Sequence, residues 1–188
     1  MHTRPLHLAV RYLTLAAACL SLPGCGGGGG GDSTFVGAAD VSLAVSPSNI
    51  DSGDRTEVAI TLGNVIEDGI ALKIRFPDAL KYVRSSALLV VGQKETDLTP
   101  KFNGTGTDND RYLVFYISQA AFRRSGQEYN GEEGTVIVQL EGVESVTDGL
   151  VEVDPDVDDP LQTNDGEFTV ETPEFDPEAT ADISVQAD

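Results

Sequence analysis

The sequence predicts an all-β protein: an antiparallel β-sandwich of about eight to nine strands, set behind a signal peptide and a flexible glycine linker. Three observations carry this. Beyond residue 39 the apolar residues recur with a period of two rather than 3.6. The runs are short, and Asp-Gly or Asn-Gly pairs that tolerate positive φ punctuate them. Prolines fall between the runs or at their ends, where a missing amide donor does little harm.

In order along the chain, Val41, Leu43 and Val45 alternate with small or polar residues. Val58, Ile60 and Leu62 form the next inward set, followed by Ile70, Leu72, Ile74 and Phe76 with Lys73 and Arg75 opposite. Leu113, Phe115 and Ile117 share one face, and Tyr112, Val114 and Tyr116 the other. The runs TVIVQL, LVEV, EFTV and DISV add further short strands. Turns are expected at Asp68-Gly69, Asn103-Gly104, Asn130-Gly131, Asp148-Gly149 and Asp165-Gly166, and breaks at Pro47, Pro77, Pro100, Pro155 and Pro160. Only SQAAFRRSGQ, from Ser118, has room for a turn or two of helix.

The N-terminus reads differently. Arg4 and Arg11 precede an apolar stretch from Tyr12 to Leu22, the layout of an export signal and too short for a permanent membrane span. Leu22-Pro23-Gly24-Cys25 then resembles the lipobox of bacterial lipoproteins, a better fit than Cys19 behind Ala16-Ala17-Ala18. The expected organisation is a signal over residues 1–24, a lipidated Cys25 with a glycine-rich tether over 25–39, and a β-sandwich over 40–188 with an acidic C-terminal segment. The resemblance implies a thioether-linked diacylglycerol and an N-acyl chain on Cys25, which together hold a protein on a membrane. Gly26 behind the cysteine fits transport to the outer membrane. As a random coil the tether spans roughly 20 Å.

Removing residues 1–24 takes away His2, His7 and Cys19, leaving no histidine and no free thiol. Ser/His/Asp and Cys/His nucleophiles then cannot be assembled, and zinc or copper lacks its usual ligands. No sequence signal selects a carboxylate pair, so the chain is not expected to be an enzyme. The formal charge of −19 becomes more negative still, and no Lys or Arg occurs after Arg124. Such a chain repels nucleic acid. Its 40% hydrophobic content argues against wholesale disorder.

Calcium is the cofactor the composition invites. Asp154, Asp156, Asp158 and Asp159, with Asp165 further on, supply hard oxygens, and Pro155 and Pro160 point to a loop that could curl around an ion. The same residues also read as a solvated acidic loop, and in an extended strand side chains two apart lie roughly 6.5–7 Å apart. Asp108 and Asp110 form a second, smaller cluster. For a sugar, Tyr112 and Tyr116 are the leading aromatic planes, with Tyr82 and Phe102 beside them, although strand tyrosines also pack on neighbours and there is no Trp. Lys73 and Arg75 form a basic strip that would pair with the chain's own carboxylates.

The segments SGDRTEVAITLGNV and IALKIRFPDALKYVRSSALL, with YLVFYIS and GTVIVQLEGV, are similar to successive strands of cohesin-type and related bacterial Ig-like sandwiches. The resemblance covers about Val41 to Val153. It implies the architecture and a surface location, and no dockerin contact is carried over. The expectation is therefore an exported, lipid-anchored module of the cell envelope that binds or assembles a protein or polysaccharide without catalysis. A spacer domain with no ligand, or a calcium-dependent adhesion module, is the alternative.

Overall fold

The computed structural model describes residues 40–65, 69–106, 108–124, 126–156, 175 and 177–187. The expectations for residues 1–24, Cys25, the tether, the EFTV run, Asp158, Asp159 and Asp165 lie outside these residues. Twelve strands are described. They are β1 (Asp40–Ser46), β2 (Asn49–Asp51), β3 (Arg55–Gly63), β4 (Ile70–Phe76), β5 (Leu80–Tyr82) and β6 (Leu88–Val91). Then follow β7 (Lys94–Asp97), β8 (Phe102–Thr105), β9 (Arg111–Ile117), β10 (Gly134–Gly142), β11 (Val146–Asp156) and β12 (Ala179–Gln186). One turn of 3₁₀ helix, Gln119–Phe122, precedes β10.

The strands form two six-stranded sheets, which makes the fold a β-sandwich as expected. The first runs β1-β3-β10-β6-β7, with β5 also pairing to β10; the second runs β2-β12-β11-β4-β9-β8. Alternation decides which side chains meet between them. Along β10 every second residue is buried, and Val136 and Val138 stand opposite Ile60 and Val58 of β3. The second sheet answers with Leu72, Ile74, Leu113, Phe115, Val151 and Val153, all essentially without solvent contact. Burying each such side chain contributes about 1.5–3 kcal/mol. The 3₁₀ turn adds Phe122 to the core. A Cβ on Gly134 would stand 2.6 Å from Cδ1 of that ring, so the glycine is what lets the ring close on β10.

Several local features differ from the sequence expectation. The described strands number twelve because β2, β5, β6, β7 and β8 are only three or four residues long, too short to show a period. Asn103-Gly104 lies inside β8 rather than in a turn. Asp148-Gly149 lies inside β11, where Asp148 has φ 53° and the pairing with β12 skips register between Val146 and Gly149: a β-bulge takes the place of a turn. Strand β2 pairs in parallel with β12, so the second sheet is mixed. The expected loop at Asp154 to Asp156 is strand, with Pro155 opposite Leu72 of β4. Proline is tolerated there because the ladder to β12 ends at Val153, leaving β11 paired on one side only. Gly69 and Gly131, with φ of 97° and 75°, do occupy turn conformations.

Candidate functional site

Since Leu72 and Ile74 point into the core, their neighbours Lys73 and Arg75 emerge on the outer face of the second sheet. Strand β11 is registered so that Asp154 stands opposite Lys73 and Glu152 opposite Arg75. Lys73 Nζ lies 3.2 Å from Asp154 Oδ2, and the two side chains are only 4% and 6% exposed. Arg75 places Nε and Nη2 each 2.6 Å from Glu152 Oε2. From the connection between β8 and β9, Asp108 comes to 3.8 Å and Asp110 to 4.0 Å of the same guanidinium. Tyr112, opposite Arg75 on β9, donates its hydroxyl to Asp108 Oδ2 at 2.5 Å. Phe175 lies over this arrangement: Arg75 Cζ is 4.5 Å from its ring centroid, and Tyr112 meets it edge-on at 5.8 Å.

The electrostatics follow from this crowding. Burial alone would lower the Arg75 pKa, but its hydrogen bonds to Tyr112 and Glu152 more than compensate and raise it. Burial raises the Tyr112 hydroxyl pKa, and its bond to Asp108 raises it further. The guanidinium thus stays charged and the phenol stays protonated, a fixed cation under an aromatic ring, which is a favourable cation–π geometry. A buried ion pair such as Lys73–Asp154 adds little net stability against an apolar pair. It does specify register, because a one-residue slip of β11 would strand both charges.

The sequence candidates fall in different places. Tyr112 is buried, 4% exposed, and so is not the open sugar platform that its outward face suggested: that face is itself covered where Phe175 sits. Tyr116 is half-buried, opposite Ala71. Asp154 already accepts from Lys73, and Asp156 stands opposite Ala71 in the same strand. Among the described residues, no group of three or more acidic, histidine or cysteine side chains could hold a metal ion. Asp108 and Asp110 are brought together, around Arg75. Lys73 and Arg75 pair with the chain's own carboxylates as expected, but Lys73 is buried rather than part of an exposed strip. Glu152 and Phe175 went unnoticed in the sequence. Alternation places Glu152 with Asp154 on one face, a signal that was available; an isolated phenylalanine far from Arg75 in sequence offers none.

Sheet order and site together define a β-sandwich with a salt-bridged outer face. No family model and no curated protein sequence matches the chain. Among solved structures, the chain is similar to the major pilin SpaA of Corynebacterium diphtheriae, with 12% identity and a TM-score of 0.46 over 61% of this chain and 31% of the pilin. It is similar to AvmM, which catalyses macrocyclization in alchivemycin A biosynthesis, with 12% identity and a TM-score of 0.39 over 78% and 84% of the two chains. It is also similar to a type I cohesin–dockerin complex from Clostridium thermocellum, with 13% identity and a TM-score of 0.36 over 78% and 99%. Likeness of this extent identifies no partner and no reaction for this chain.

Proposed function

We propose that the protein is an exported lipoprotein, anchored at the outer membrane through Cys25, whose β-sandwich is a non-catalytic binding or assembly module for a protein partner in the envelope. Pilins and cohesins, which include domains of similar form, are assembly and partner-binding proteins by name. The observation that carries the reading is the seat of Phe175. The outer face of the second sheet holds an aromatic ring between a fixed guanidinium and the edge of a tyrosine. Phe175 belongs to the run Glu174-Phe175-Asp176, an aromatic residue flanked by acids. A partner segment of the same chemistry would use the same seat, exchanging with Phe175.

The test is site-specific photo-crosslinking from position 116 in intact cells, with the Glu171–Ala179 peptide as competitor. A discrete adduct is expected, suppressed by the peptide, insensitive to a peptide carrying Phe175→Ala, and reduced about tenfold in Arg75→Ala. Loss on that scale is what removing a desolvated charged contact costs. Adducts that persist unchanged in a folded Arg75→Ala protein, or that ignore both peptides, would refute the assignment of this face.

A further inference from the structure

The strands that end the two sheets are β1 and β7 in the first and β2 and β8 in the second. An end strand presents unpaired backbone N–H and C=O groups, a template on which another strand can form. Proteins blunt such edges by keeping them short, charging them, or interrupting them with a proline or a bulge. Three of these four are blunted. Strand β2 has three residues and ends in Asp51, β7 is Lys-Glu-Thr-Asp, and β8 has four residues with Gly104 inside it.

Strand β1 has none of these devices. It is seven residues long, and its ladder to β3 runs from Asp40 opposite Gly63 to Ser46 opposite Glu57 without a register shift. After Asp40 it carries no charge, in a chain where 23% of residues are charged, and Pro47 comes only behind its last residue. Ser42, Ala44 and Ser46 are exposed and small, so an incoming strand meets no bulk on that side. On the inner side Val41, Leu43 and Val45 stay half-buried, whereas Leu62, Ile60 and Val58 opposite them are sealed from solvent. The core layer is left open along this margin.

We propose that β1 pairs with β1 of a second copy of the chain, antiparallel about a two-fold axis, joining the two first sheets into one. The edge is complementary to itself. An axis at Leu43 sets Val41 beside the copy's Val45 and Ser42 beside the copy's Ala44, so apolar meets apolar and small meets small. Such an isologous contact closes at two copies. Charge selects the same occupant: two chains of net charge −19 repel wherever carboxylates would face each other, and this uncharged edge lets them meet without that. The two Asp40 residues stand at opposite ends of the seam, roughly 20 Å apart. Each follows directly on a tether of roughly 20 Å span, so two copies held at Cys25 would reach one membrane while paired. That last point rests on the proposed anchor; the pairing itself does not.

The test is sedimentation equilibrium of the purified full chain in density-matched detergent, a measurement that reads the pairing with or without a lipid. Concentrations run to about 200 μM, since contacts of modest area bind weakly. A monomer–dimer equilibrium is expected that tightens with added salt, because salt screens the repulsion between two acidic chains. Hydrogen exchange at the amides of residues 41–45 is expected to slow as the dimer forms, with β7 and β8 unchanged. Replacing Ser42 and Ala44 together by lysine, Ser42→Lys with Ala44→Lys, sets like charges face to face. The dimer should weaken about tenfold while the melting temperature of the dilute monomer holds. A monomer at every concentration and salt overturns the proposal. So does a dimer that salt weakens, one that protects amides elsewhere and not in β1, or one that the folded double-lysine variant forms equally well.

Discussion

At Asp110, burial and the neighbouring Asp108 carboxylate push the pKa above the ordinary aspartate value of 3.8, with Arg75 only partly offsetting them. A raised carboxyl pKa means that the folded state holds its proton longer than the unfolded state. Stability from this group is therefore greatest below pH 3.8 and declines as pH climbs through the raised value. Asp110→Asn removes that decline. The expected outcome is a melting temperature above that of the wild type at pH 7, with the difference closing toward pH 3. The side chain is 42% exposed, so solvent screening keeps the gain within about 3 °C. Equal melting temperatures at pH 7 would show that the Asp108–Asp110 repulsion is fully screened. Glu141 runs the other way. The hydrogen bond from Lys81, with Arg55 adding to it, holds its pKa below the ordinary value, and the stability it contributes is lost as pH falls through that lowered pKa.

Between elements, the Lys73–Asp154 pair joins β4 to β11, and its cost and benefit separate in a double-mutant cycle. Lys73→Met leaves a buried carboxylate without this ammonium, and Asp154→Leu does the converse. Each is expected to lose about 3–5 kcal/mol in urea unfolding at pH 7, with much of it recovered in the double variant. Additive losses would show that the two charges do not depend on each other. The longer strands, among them β4 and β9 of this site, were legible because they alternate: β3, β4, β9 and β10 all carry large apolar residues at every second position. Their pairing was not. Lys73 and Asp154 are 81 residues apart, and a period of two reports a face without naming the strand beside it. Strand β7 (KETD) buries no residue and carries no pattern, and the Asp148-Gly149 signal, genuine as a φ preference, served a bulge.

For the whole chain, the proposed anchor rests on Cys25, and detergent phase partition with radiolabelled palmitate tests it. The wild-type protein is expected to take up label and enter the detergent phase, whereas Cys25→Ser remains unlabelled and stays in the aqueous phase. Unaltered partition of Cys25→Ser would remove the anchor from the reading and leave the sandwich unaffected. The sheet order has a consequence of its own in time. Strand β10 is the hub of the first sheet, contacting β3, β5 and β6. In the second sheet, β12 stands between β2 and β11. Strands β10, β11 and β12 all come late in the chain, so a ribosome that has released only the first 130 residues has delivered β4, β9 and β8 of the second sheet but no strand to join β3 to β6 in the first. Pairings this distant in sequence form slowly, and unpaired edges attract other chains. The protein can close only after its C-terminal third has emerged.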